Sequence, residues 1–134
     1  MSLATTLIGL NALVFGAFGV LYSLVPEAAS RFATDGAPTT ASGLIDLRAT
    51  YGGMSLAIGA FLAMTARQSE LHGLGLRSVA VIMGCMATTR MLGMALDGSP
   101  NAIMWVYLGT ELLVLGAALW ALRAEPARTA SVAS

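Results

Sequence analysis

Four long apolar stretches alternate with short polar ones along the chain. The first covers 3–25 and stops at Pro26; the second covers 42–66 and ends at the polar RQSE. The third covers 71–96 and ends at DGSP; the fourth covers 101–122 and runs into RAEPARTASVAS. A helix needs roughly 20 apolar residues to cross a hydrocarbon core of about 30 Å. Each stretch is long enough. The pattern predicts an all-α fold: a four-transmembrane-helix bundle over 1–123, with a short disordered cytoplasmic tail over 124–134.

The connections add detail. Between the first two spans, PEAASRFATDGAPTTA begins with a proline suited to a first helical turn and Glu27 beside it to meet the helix dipole. Ala28, Ala29, Phe32 and Ala33 fall on one side, with Arg31 and Asp35 elsewhere, as in a short interfacial helix. DGAP then breaks it. In the turn DGSPN, Ser99 is the expected N-cap and Pro100 the expected first residue of the fourth helix. So short a turn makes the third and fourth spans antiparallel neighbours. Small residues recur four apart at Ala12/Gly16, Gly53/Ala57, Ser55/Gly59 and Gly84/Thr88, a spacing that lets helices approach closely in lipid.

Composition agrees. The 134 residues are 57% hydrophobic and 10% charged, with a mean hydropathy of +0.78, against roughly 25% charged residues in soluble domains. The bilayer is therefore the first partner. The net charge is zero and no basic cluster exists, which excludes nucleic-acid binding. The single cysteine, Cys85, lies inside an apolar run and forms no intrachain disulfide. The first span has no basic n-region and is long for a signal peptide, so it is expected to be retained. Arg67, Arg77, Arg123 and Arg128 flank the side holding both termini; only Arg31 flanks the other. The positive-inside rule then puts both termini in the cytoplasm of a multi-pass protein of a bacterial inner membrane.

The charges inside the spans change the picture most. Asp46 and Arg48 lie about 200° apart around a helix and cannot pair with each other. Arg48 and Arg90 each lie about 9 Å below the outer end of their spans, Tyr107 reaches the same layer, and Glu111 lies about 15 Å in. Charges at such depth are costly unless compensated, and arginine's planar fork suits carboxylates. A chain Asp97–Arg90–Glu111–Arg48, with Tyr51 and Tyr107 as hydroxyl neighbours, is the arrangement expected. Simpler roles compete. Asp46 suits a first helical turn and Asp97 a turn before Gly98. The two arginines are within snorkelling reach of the interface. Glu111 could be protonated and hydrogen-bonded to a neighbouring helix. His72 reads as a loop residue, and Met83, Met86 and Met94 as apolar surface, since no well-placed histidine accompanies them as a haem ligand would require.

The segments LVPEAA, DLRATYGG, TTRMLGMALDGSP and GTELLVLGAALWALR together resemble a family of small bacterial four-helix membrane proteins, domain of unknown function 4345, over roughly residues 5 to 123. The resemblance implies the fold and no activity. It marks Asp46, Arg48, Tyr51, Gly52, Gly53, Arg90, Asp97, Gly98 and Glu111 as matching the family's polar pattern.

No phosphate loop, metal-ligand spacing or nucleophile elbow occurs, so no cofactor and no metal are expected. Three functions compete. The first is a lipophilic-ligand site built from Tyr51, Arg90, Asp97, Tyr107 and Glu111, or an accessory membrane subunit in a homo-oligomer or larger complex. The second is a cofactor-independent enzyme, of isomerase or epoxide-opening type, with Glu111 or Asp46 as acid–base and Arg48 or Arg90 steadying negative charge. The third is a small proton-coupled transporter. Polar groups clustered at one end argue against the last.

Overall fold

The structure, a computed structural model, describes the backbone of residues 2–132 and the side chains of residues 2–124. Of the tail expected over 124–134, all but Ala124 falls outside the described side chains. Helix α1 (Leu3–Leu24) starts at Ser2, whose hydroxyl accepts from the Thr5 amide at 3.1 Å. It ends at Val25, which the following proline holds out of the helical region at φ −131°, ψ 55°. Helix α2 (Pro26–Thr34) follows at once and closes on Asp35 in a left-handed conformation, φ 60°. Asparagine and aspartate tolerate that conformation better than other side chains.

The second span is one continuous rod of three parts. Helix α3 (Ala41–Leu47) is capped by the Thr40 hydroxyl. A π-helical segment, Arg48–Gly53, then carries the chain into α4 (Met54–Arg67). A 3₁₀ turn (Ser69–Leu71) leads to α5 (His72–Asp97), and α6 runs Ala102–Val132. Four helical stretches are long and apolar enough to cross a membrane: Leu3–Leu24, Ala41–Arg67, Ser69–Asp97 and Ala102–Ala124. They agree with the spans expected from the sequence to within about two residues, inside the usual boundary uncertainty.

The bundle is two tight pairs, α1 against the second span and α5 against α6, with α1 also touching α5 and α6. Glycine makes the first pair close. A Cβ on Gly59 would lie 2.9 Å from the Gly16 nitrogen and 3.1 Å from the Ala12 oxygen, and one on Gly52 would lie 2.5 Å from the Ser23 hydroxyl. The expected Ala12/Gly16 and Ser55/Gly59 seams are thus used, whereas Gly53 and Gly84 meet nothing closer than 3.8 Å.

Near the termini the interior is apolar: Ile8, Leu62, Leu76 and Val79 are fully buried beside Ala118. The outside is apolar too, with Leu13, Val81, Leu113 and Trp120 exposed, as befits helices in lipid. The interfacial helix α2 forms as expected but turns a different face inward. Pro26, Ala29, Ser30 and Ala33 are buried, while Phe32 is 72% exposed. At the α5–α6 turn the expected Ser99 cap and helical Pro100 are replaced by Asn101. Its Oδ1 accepts from the Met104 amide at 3.0 Å, and its Nδ2 donates to Asp35 at 2.7 Å and to the Ala33 carbonyl at 3.2 Å. Those last two bonds tie α2 to α6 and decide which residue caps.

Candidate functional site

The site lies in the half of the bundle away from the termini, where α5 and α6 bring Arg90 and Glu111 together. Arg90 Nε donates to both carboxylate oxygens of Glu111, at 3.1 and 3.0 Å, and Nη2 donates to Oε1 at 2.5 Å. Glu111 is 4% exposed. This is the forked arginine–carboxylate contact whose geometry adds specificity to charge. Burying either partner alone would cost several kcal/mol, of order 3–5 when a pair is broken.

Three residues of α6 hold the guanidinium. Met104, Tyr107 and Glu111 sit at i, i+3 and i+7, so they share one helix face. Arg90 Nη1 donates to Met104 Sδ at 3.2 Å, and Cζ lies 5.2 Å from the Tyr107 ring centroid. The cation is thus placed on a π-face, a favourable position for arginine. A thioether is a weak acceptor, so Nη1 is the one arm of the fork without a strong partner.

An aromatic train leads from this pair to the edge of the bundle. Tyr107 meets Phe18 edge-on, with centroids 6.1 Å apart and planes at 67°. Phe18 stacks on Tyr22 at 6.0 Å, one turn along α1. Tyr22 stacks on Tyr51 of the π segment at 5.3 Å. Gly52 makes that last contact attainable, because it lets the segment lie against Ser23 of α1. Among the described residues no hydroxyl of Tyr22, Tyr51 or Tyr107 has a protein hydrogen-bond partner, and no side-chain polar atom is both buried and unpartnered. Although Tyr22 is 5% exposed, its hydroxyl therefore opens to the surroundings, and Tyr51 is 54% exposed.

The structure reduces the expected four-residue charge chain to one link. Arg48 does not reach Glu111. Its Nη1 donates to the carbonyls of Ser23 and of Leu24, the latter at 3.2 Å. The cause is packing order: the second span lies on α1, whose last carbonyls have no helical partners and attract a cation. Asp46 is exposed and, among the described residues, accepts only from Thr50, one turn on, at 3.3 Å. Asp97 is exposed and forms no ion pair among the described residues. Its carboxylate lies back over its own helix, 3.6 Å from where a Cβ on Gly93 would stand. Asp46, Arg48 and Asp97 thus leave the central site, while Arg90, Glu111 and Tyr107 form it and Tyr51 borders it.

Sequence reading missed Phe18, Tyr22 and Met104. The first two carry a signal, being four apart on one face of α1, with Phe18 at about the depth of Arg90. Met104 carries one only once Glu111 is taken as the reference face. His72, expected in a loop, heads α5 and ties the terminal end together, with Nε2 3.4 Å from the Thr5 hydroxyl and 3.2 Å from the Ala66 carbonyl.

A family model described as a domain of unknown function (DUF4345) matches residues 3–122. No curated protein and no solved structure matches the chain.

Proposed function

The chain belongs to the DUF4345 family, whose description carries no activity, and we propose from the site itself that it binds a lipophilic molecule with a neutral, oxygen-bearing head. The supporting observation is the state of Arg90. Its charge is cancelled by Glu111, yet Nη1 rests on a thioether beside Tyr107. A carbonyl or hydroxyl oxygen is a better acceptor than sulfur and would take that donor. The rings of Phe18, Tyr22 and Tyr51 offer an apolar, flat approach with hydroxyls free to donate or accept. A neutral head suits a site whose ionised groups already balance.

Acid–base catalysis is less well supported. Both oxygens of Glu111 are held by Arg90, and Asp46 stands apart from both. The reading also assigns the chain to a bacterial inner membrane, with its site facing outward and both termini cytoplasmic. The support for that is the arginine excess on the terminal side.

The test is mass spectrometry of small molecules retained after purification in mild detergent. Wild type would be compared with Tyr22→Phe, Tyr51→Phe and Met104→Leu. A specific oxygenated lipophile, depleted in the tyrosine variants and retained or enriched in the leucine variant, is expected. An identical profile of bulk phospholipid in all four proteins would refute the reading.

A further inference from the structure

A second feature lies on the far side of α1 from the aromatic train. A furrow of about 590 Å³ runs along α1 from Ala12 to Val25 between apolar side chains such as Leu13, Val20 and Leu21. At its upper end it meets a cleft of about 400 Å³ formed by Pro26, Glu27, Arg31, Leu44 and Arg48. Leu24 and Val25 line both, so the two adjoin at the end of α1. We infer that this furrow holds one anionic glycerophospholipid of the bilayer, with an acyl chain along α1 and the phosphodiester against Arg48 and Arg31.

Length agrees with the assignment. Thirteen helical steps make about 20 Å at 1.5 Å each, more than the roughly 15 Å of one leaflet's hydrocarbon. Gly16 gives the furrow its depth, since a Cβ built there would meet nothing within 4 Å. Charge agrees as well. Arg48 spends Nη1 on the carbonyls that end α1, and its Nε and Nη2 have no protein partner among the described residues. Arg31 pairs with Glu27 through Nε and Nη2, leaving Nη1. That pair is more than half exposed on both sides, and exposed pairs of this kind are weak. Two guanidiniums and one carboxylate leave a net charge of plus one, which a phosphodiester neutralises. Asp46, the nearest other acid in sequence, is turned about 200° from Arg48 on an ideal helix and accepts from Thr50. Asp35 accepts from Asn101. The charge balance differs from that of the central site, where Arg90 is already neutralised, so the two sites are independent.

The test is native mass spectrometry of the detergent-solubilised full chain, titrated with phosphatidylglycerol or phosphatidylcholine of matched acyl chains. One phosphatidylglycerol should bind about tenfold more tightly than phosphatidylcholine. Arg48→Gln and Arg31→Gln should each weaken phosphatidylglycerol about fivefold and phosphatidylcholine, whose phosphodiester carries its own ammonium counter-charge, by less. Gly16→Leu, which fills open space, should weaken both lipids alike. Should Arg48→Gln fail to fold through loss of its bonds to α1, the exposed Arg31→Gln decides, with Gly16→Leu, whose added Cβ points away from the α1–α4 seam into open space, beside it. Equal affinity for the two lipids, or binding indifferent to Arg31→Gln and Gly16→Leu, overturns the assignment. Displacement of phosphatidylglycerol by an equal concentration of inorganic phosphate would also overturn it, because the occupant would then be a free anion.

Discussion

Replacing Arg90 by methionine removes the only cation that contacts the buried Glu111 among the described residues. Glu111 is 4% exposed, and the Arg90 side chain is 19% exposed. The pair is therefore close to the fully buried limit, where loss of one partner costs about 3–5 kcal/mol. Contact with the Tyr107 ring adds about 0.5–2 kcal/mol to what Arg90 loses. Glu111→Leu strands the guanidinium instead, which keeps its ring contact and some access to water, so its cost should fall at the lower end of that range. The double variant Arg90→Met/Glu111→Leu leaves an apolar interface of similar volume. Such replacements are often neutral or stabilising, so it should lie within about 1 kcal/mol of the lesser single variant's cost or better. The coupling then equals the larger single cost to within about 1 kcal/mol, so it should be at least about 2–3 kcal/mol, the top of the range for directly contacting residues. Equilibrium unfolding in mixed detergent micelles, followed by circular dichroism, gives all three values. Costs that add to within about 0.5 kcal/mol would refute the view that the pair is one compensated unit.

Three shorter tests probe other parts. Gly59→Ala places a Cβ 2.9 Å from the Gly16 nitrogen, so it should cost about 1–3 kcal/mol by overpacking. Gly109→Ala meets nothing within 4 Å and should stay within about 0.5 kcal/mol of wild type; equal effects in thermal unfolding would sink the α1–α4 seam. Asn101→Ala loses the α6 cap and both bonds to the end of α2, about 1 kcal/mol for the cap alone. Faster amide exchange at Met104 and at Asp35 is the readout, and unchanged exchange would contradict the tie. Alkaline phosphatase fused after Gly98 should be active and the same enzyme fused after Arg123 inactive, if the arginine excess sets orientation; the reverse pattern would invert the topology.

The spans were legible because apolar length is a one-dimensional property that needs no partner. The Arg90–Glu111 pair was legible for a related reason: rise per residue puts Glu111 about one turn deeper than Arg90, within reach of the long arginine side chain, and a buried charge demands an opposite. Arg48 was not. Its partners are main-chain carbonyls at the end of α1, and every helix ends in such groups without a mark in its sequence. Capping at Asn101 rather than Ser99 depended on Ala33 and Asp35, more than sixty residues away. Phe32 fell on the expected side of an ideal helix, but the face of that helix turned inward carries Pro26, Ala29, Ser30 and Ala33. The π segment was silent as well, because hydropathy does not register which carbonyl an amide chooses.

That segment separates two quantities which a membrane helix ordinarily couples, its length and its rotational phase. Insertion into a bilayer responds to apolar length, so one residue more or less in Arg48–Gly53 is nearly invisible to it. Packing responds to phase, and removing one residue would rotate everything before the segment by about 100° relative to everything after it. The lower half could then keep its glycine seam on α1 while Arg48 swung away from the end of that helix. The widened turn thus sets the angle between the two parts of the span: a change of one residue there would re-aim the Arg48 end without disturbing the glycine seam lower down.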